Sequence, residues 1–165
     1  GTRRVGVEAE ARVKLLSWLT ADLDFTWADA KYTNGALVAL APTLVVQGGV
    51  SARHPRGPYG RIGVIHLGDR PATEDGFLTA QGFTRVDAAV GFKHKRFDVA
   101  VGIQNLTNTQ WREAQFANVS RVRGETGGPS GTRSAEQAGV FMGGEDLHFT
   151  PGAPINFEVT ASVFF

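Results

Sequence analysis

The residue types that commonly perform chemistry are present in this chain, but their spacing does not fit a catalytic or metal site. The four histidines are His54, His66, His94 and His148, and no two of them have a metal-ligand spacing such as H-E-x-x-H. The acidic residues of the cluster 145–148 could attract a divalent cation, although a solvated loop is the better interpretation. No serine has the G-x-S-x-G context of a nucleophile, and no glycine pair is followed by the lysine of a phosphate-binding loop. We therefore predict no enzyme activity, no bound metal and no cofactor.

The residues best suited to binding a ligand lie in the long segment 105–154. Its arginines and aromatic residues include Trp111, Phe116, Arg121, Arg123, Arg133, Phe141 and Phe149. Loops on a rigid scaffold often carry recognition, and guanidinium groups beside aromatic rings suit an anionic, partly aromatic ligand. The alternative is an irregular surface loop without a ligand. We predict that ligand contacts come from Trp111, Arg121, Arg123 and Arg133.

Composition limits the kind of domain that could hold this segment. The chain has 165 residues, 42% hydrophobic and 20% charged, which fits neither a disordered segment nor a helical membrane protein. Its net charge of +1 points to no nucleic-acid partner. There is no cysteine, which excludes a disulfide framework and a thiolate site. The chain begins at Gly1 without a methionine or a signal peptide, so we expect a processed product or a piece of a longer protein.

The dominant pattern along the chain is an alternation of apolar and polar residues with a period of two. In the last such segment the apolar residues are Phe157, Val159, Ala161, Val163 and Phe165. A helix, with its period of about 3.6, would not separate the two kinds of residue so cleanly. The alternation predicts about seven strands, at residues 4–14, 19–27, 43–51, 59–68, 85–93, 97–104 and 156–165. Each is close to the roughly 9–11 residues with which a tilted strand crosses a bilayer.

The connections between these strands alternate in length. The short ones are residues 15–18, 54–58 and 93–96, and the long ones are 32–42, 69–82 and 105–154. Membrane barrels of the bacterial type have short periplasmic turns and long extracellular loops. The pattern therefore predicts an all-β, antiparallel up-and-down meander in which 105–154 is a long extracellular loop. A soluble antiparallel sheet with one wet face would also alternate, and it stays open as an alternative.

Several motifs stand in a specific order along these predicted strands. The first strand contains R-V-G-V-E-A-E at residues 4–10, and the second reads L-T-A-D-L-D-F-T-W at 19–27. The segment R-V-D at 85–87 leads to G-I-Q-N-L-T-N at 102–108, and P-G-A-P at 151–154 precedes the last strand. The chain closes on Phe165 after apolar residues at alternate positions. Each motif alone is weak, but their order and spacing are fairly specific.

Together these motifs resemble the C-terminal part of the β-barrel of TonB-dependent outer-membrane receptors. Thr107 departs from the aromatic residue usual in the family's N-L-F-[DN] motif, and Trp111 stands where a tyrosine is common. The resemblance implies a transmembrane β-barrel of about 22 strands, of which this chain would form the last seven, in the outer membrane of a Gram-negative bacterium. The plug that fills such a barrel, and through which the TonB complex acts, would lie upstream of residue 1.

The resemblance also implies a function and partners. The receptor would import a scarce small-molecule nutrient such as a ferric siderophore, and its apolar face would meet outer-membrane lipid. The last strand would carry the signal that the barrel-assembly machinery reads, with Phe165, Val163 and Ala161 as the assembly signal.

Two other interpretations stay open at this point. A strand hidden in 105–154 would make eight, the size of a complete small outer-membrane barrel, whereas a hidden hairpin would leave an odd number. A soluble β-sandwich or lipocalin-like binding protein is the alternative from a different class, and an outer-membrane hydrolase is a more distant one.

Overall fold

In a computed structural model of the chain, residues 1–120, 133–137 and 140–165 are described, with side chains for 1–119 and 145–165. All the regular structure in these ranges is β. The strands are β1 (Thr2–Leu16), β2 (Leu19–Tyr32), β3 (Leu44–Arg53), β4 (Pro58–Leu67), β5 (Arg70–Pro71), β6 (Thr79–Ala80), β7 (Phe83–Lys93), β8 (Phe97–Gln104), β9 (Arg112–Ser120), β10 (Arg133–Gln137), β11 (Val140–Pro151) and β12 (Asn156–Val163). Within these ranges, no helix is long and apolar enough to cross a membrane.

Seven of the strands form one antiparallel sheet in the order β1-β2-β3-β4-β7-β8-β12. Each strand pairs with its neighbour in that order, so the predicted all-β meander of seven strands is confirmed. Two of the three long connections contain strands of their own. The first contains the β5–β6 hairpin. The second is the segment 105–154, which contains a separate three-stranded sheet in the order β10-β11-β9.

Strand register places apolar and polar residues on opposite faces of the seven-stranded sheet. On the apolar face Val90 pairs with Val101, which pairs with Val159. On the polar face Glu158 pairs with Gly102 and Asp98 with Ser162. Because side chains alternate along each strand, the pairing keeps each row on one face across the sheet. The predicted separation of Val99 and Val101 from Asp98 and Glu158 is therefore confirmed.

No second layer covers the apolar face within the described residues. The buried hydrophobic residues in the described part of the chain are three alanines, Ala28, Ala72 and Ala80. By contrast, Phe157 is 67% exposed and Val159 is 71% exposed, although both are large and apolar. A β-sandwich buries the inner face of each sheet against the other. The soluble sandwich is therefore wrong for the described part of the chain.

The first and last strands of the sheet lie at its two opposite edges. In the described residues β1 pairs with β2 alone, and β12 pairs with β8 alone. The sheet therefore does not close on itself, which contradicts the complete eight-stranded barrel. The short turns between β1 and β2, β3 and β4, and β7 and β8 lie at one end of the sheet. The long connections all leave from the other end.

Candidate functional site

The polar face of the sheet forms an open depression of about 340 Å³. Its polar lining comes from five strands: Gln47, Arg61, Arg85, Asp87, Gln104 and Glu158. These residues come together because alternate positions on neighbouring antiparallel strands share a face. The depression therefore presents both cationic and anionic groups beside amides.

An ion pair crosses the middle of this face. Arg61 on β4 donates from Nη1 and Nη2 to the two carboxylate oxygens of Asp22 on β2, at 2.6 and 2.7 Å. The guanidinium spans β3 at Gly49, where an added Cβ would lie 3.0 Å from Arg61 Nη2 and 2.6 Å from the Ile62 carbonyl oxygen. Glycine at this position thus leaves room for a bidentate contact that links three strands. The Asp22 side chain is only 14% exposed, and Arg61 is its ion-pair partner.

A second polar contact lies near the short-turn end of the same face. The Tyr59 hydroxyl donates to the Asp98 carboxylate at 2.7 Å. The ring reaches Asp98 across Gly91, where a Cβ would overlap the phenol. Arg53 stacks over the Tyr59 ring, with its guanidinium carbon 5.1 Å from the ring centroid. Tyr59 therefore joins β4 to β8 across β7, where Gly91 has no side chain to block the ring.

At the long-loop end, Asp87 connects the sheet to the segment 105–154. Its Oδ1 accepts a hydrogen bond from the Asn105 backbone N–H at 2.9 Å, and its Oδ2 is bound by Arg85 at 3.0 Å. The Leu106 N–H then donates to the Val86 carbonyl at 2.7 Å. These contacts fix the direction in which the chain leaves β8.

Asn105 is the most completely buried large side chain of the described residues, at 1% exposure. Its Nδ2 donates to the carbonyls of Thr109 and Ala153, at 2.9 and 3.1 Å, and its Oδ1 accepts from the Thr109 N–H. One side chain therefore ties the outgoing chain to the returning chain 48 residues later. Asn105 has a φ of 53°, in the left-handed region that asparagine tolerates better than most residues.

Trp111 reinforces the same junction. Its Nε1 donates to the Ala153 carbonyl at 3.0 Å, and its ring lies 4.9 Å from that of Phe83. Arg85 also stacks on the indole, with its guanidinium carbon 4.9 Å from the ring centroid. The ring lines a second depression of about 560 Å³, together with Arg112, Phe149 and neighbouring backbone. Trp111 is thus held in place by these contacts and forms one side of this polar, partly aromatic depression.

The long connections contact one another beyond the end of the sheet. Backbone hydrogen bonds join Leu37 to Glu74 and Leu40 to Pro71, both at 2.7 Å. The amide of Gln115 exchanges two hydrogen bonds with the backbone of Gln81, at 2.8 and 2.7 Å. The three long connections are thus joined to one another beyond that end of the sheet and form a connected rim there.

The predicted site residues fall into three groups. Trp111 is placed at the loop junction, while Arg121 and Arg123 lie outside the described residues, and only the backbone of Arg133 is described, in β10. At the other end of the sheet, Ala161 pairs with Val99 and Val163 with Phe97 on the apolar face. Phe165 follows the last strand and is fully exposed. The ligand and assembly roles of these residues stay predictions.

Other features of the site were not predicted from the sequence. The Asp22–Arg61 pair, the Tyr59–Asp98 contact and the Gln115–Gln81 contact join residues that are 39, 39 and 34 positions apart. The cluster 145–148, interpreted as a solvated loop, lies in β11, where His148 stacks on Phe116 with centroids 5.6 Å apart. In the part of the chain that the structure describes, no group of three or more acidic or histidine side chains could hold a metal ion.

Comparisons with known proteins agree with this architecture. The family model described as "TonB dependent receptor-like, beta-barrel" matches residues 1–106. No curated protein matches the chain by sequence.

Two solved structures share the fold. The ferric yersiniabactin uptake receptor FyuA from Yersinia pestis has a TM-score of 0.67 at 16% identity, covering 99% of this chain and 24% of the receptor. The ferripyoverdine receptor of the outer membrane of Pseudomonas aeruginosa has a TM-score of 0.65 at 12% identity, covering 97% and 19%. The chain thus spans about a quarter or less of either receptor.

Replacing Asn105 tests whether one side chain holds the loop junction. We expect Asn105→Gly to lower the free energy of unfolding by about 2–4 kcal/mol, because two donated and one accepted hydrogen bond are lost at a buried position. Glycine accepts the positive φ, so the loss reports the side chain and not backbone strain. Limited proteolysis within 109–153 should accelerate at the same time. Asn118→Gly, an exposed change in β9, is the control, and equal proteolysis of the two variants would contradict the assignment.

Proposed function

Because this chain belongs to the TonB-dependent receptor β-barrel family, we propose that it forms the last part of the barrel wall of a receptor that imports a scarce nutrient such as a ferric siderophore. The observation that carries the proposal is the family match over residues 1–106 on a seven-stranded open meander. The family consists of receptors and transporters, not enzymes. The plug domain and the TonB-contacting segment would be supplied by residues upstream of this chain.

The two faces of the sheet support a location in the outer membrane of a Gram-negative bacterium. Large apolar side chains such as Phe157 and Val159 are exposed on one face, and lipid would cover them. The opposite face carries the Asp22–Arg61 pair and would line a wide lumen. In this orientation the long connections are extracellular, and the short turns face the periplasm.

The nutrient would be bound by the rim of long connections and the upper part of the lumen. Both solved relatives are described by the ferric siderophores that they take up or bind. Trp111 and Arg112 line the depression at the loop junction, so an anionic, partly aromatic chelate would find aromatic and cationic contacts there. We propose that Arg121, Arg123 and Arg133 of the same segment 105–154 add contacts to the ligand.

Other partners would act at the edge strands of the sheet and through the plug domain. The open edge of β12 can accept a strand by β-augmentation, which is the chemistry by which the barrel-assembly machinery would read the last strand. The same edge, with that of β1, would later be paired by the remaining strands of the barrel. The TonB complex would act on the upstream plug, and no nucleic acid is involved.

Uptake by cells tests the proposed function. Deleting the gene that encodes the protein should abolish uptake of radiolabelled iron supplied as one particular siderophore, because no other receptor would present the same rim. Uptake should return with the intact gene, but not with a gene that lacks the region coding for 105–154. Undiminished uptake of every ferric siderophore tried, with normal growth under iron limitation, would contradict the proposal.

Deleting Phe165 tests the assembly signal separately from transport. We expect less folded receptor in the outer membrane, since the terminal aromatic residue lies beyond the last strand at the short-turn rim and not near the long connections. Ligand affinity per folded molecule should be unchanged. Surface abundance and binding affinity are measured for the deletion and for Glu158→Gln, a polar-face control that should assemble normally. Normal abundance after the deletion would count against the assembly role of Phe165, Val163 and Ala161.

A further inference from the structure

The short-turn end of the sheet carries a concentration of positive charge that the proposed transport does not use. The turn between β3 and β4 and the turn between β7 and β8 contain three cations, which are Arg56, Lys95 and Arg96. Neither turn, from residue 54 to 57 or from 94 to 96, contains an aspartate or a glutamate. We name these three residues the basic rim. None of them takes part in an ion pair in the described residues.

Backbone contacts hold the two turns side by side. The Lys93 N–H donates to the Gly57 carbonyl at 3.0 Å, so the β7–β8 turn starts directly against the β3–β4 turn. The Phe164 N–H donates to the Arg96 carbonyl at 2.8 Å, which adds the end of the chain to the same surface. The cations of the basic rim therefore lie on neighbouring turns, and all three residues are exposed.

Aromatic rings lie next to this patch on the apolar face. Phe92 and Phe97, at the ends of β7 and β8, have ring centroids 6.1 Å apart, and His94 lies 5.2 Å from Phe97. Both phenylalanines are about 40% exposed. Aromatic residues at the edge of an apolar band mark the level of the lipid headgroups in membrane barrels. The turn cations Arg56, Lys95 and Arg96 then lie one step beyond that level, where phosphate groups are found.

We propose that the basic rim binds anionic phospholipid headgroups, such as phosphatidylglycerol, in the leaflet that the short turns face. The inference rests on the proposed membrane orientation, and it goes beyond transport because it assigns a lipid partner to residues far from the long connections. Exposed cations beside an aromatic belt are attracted to anionic headgroups. No ion pair has to break when they bind a headgroup, since they have no acidic partner. The contact would hold the barrel at a fixed depth and favour leaflets rich in anionic lipid.

Lipid competition on the purified full-length protein tests the proposal. In a neutral detergent, binding of phosphatidylglycerol and phosphatidylethanolamine is compared by native mass spectrometry for the wild type, for Lys95→Gln/Arg96→Gln, and for Arg3→Gln/Lys31→Gln. The last variant removes the same charge at the opposite end of the sheet. We expect the wild type to prefer phosphatidylglycerol, the basic-rim variant to lose at least about fivefold of that preference, and the control to keep it.

Two results would overturn the proposal. One is a wild type that binds both lipids equally, as it would if the basic rim served a periplasmic protein instead. The other is a basic-rim variant that keeps the preference or loses no more of it than the control, which would assign the effect to other residues or to net charge. The uptake assay on cells is run in parallel, and a receptor that imports its siderophore without any lipid preference would refute the lipid contact while leaving the proposed function intact.

Discussion

The structure depends on one constraint, which is that every backbone N–H and C=O of a strand needs a partner. Within the sheet β2, β3, β4, β7 and β8 are paired on both sides, whereas β1 and β12 each have one free edge. In water such an edge can be hydrated, but in hydrocarbon each unpaired group costs several kcal/mol. If lipid covers the apolar face as proposed, further strands must therefore pair with the two free edges. That requirement links the alternation of the sequence to the barrel of the family, and it gives β12 an edge that assembly can use.

The side-chain contacts that join different strands of this sheet lie on its polar face and at its long-loop end. The Asp22–Arg61 pair and the Tyr59–Asp98 contact each cross a strand at a glycine, so the small residues Gly49 and Gly91 let long side chains join strands that do not touch. At the long-loop end, the Asp87 carboxylate accepts a hydrogen bond from the Asn105 backbone N–H and so fixes the start of the segment 105–154 relative to the sheet. The loops are consequently an extension of the wall, and a ligand bound among them would meet groups whose positions the sheet already sets.

The sequence predicted those parts of the fold that depend on local periodicity. Alternation located all seven strands of the main sheet, and it separated Val99 from Asp98 correctly, because neighbouring residues of a strand always point to opposite faces. It underestimated β1, which runs from Thr2 to Leu16, and it extended the last strand past Val163. The three-stranded sheet of β9, β10 and β11 was not predicted, since the run at 112–120 alternates only weakly. Asn105 belongs to the motif at 102–108, but its burial follows from contacts with Thr109 and Ala153 that no local pattern reveals.

The central claim is that lipid covers one face of this sheet and water the other, and two adjacent residues of β12 test it most directly. Val159 lies on the apolar face and Thr160 on the polar face, at the middle of the strand. The full-length protein is unfolded with guanidinium from phospholipid vesicles, with arginine at each position in turn. We expect Val159→Arg to lower the free energy of unfolding by about 2–4 kcal/mol, the cost of an arginine at the bilayer midplane. Thr160→Arg should lower it by less than about 1 kcal/mol. Equal losses, or a larger loss at Thr160, would contradict the assignment of the faces.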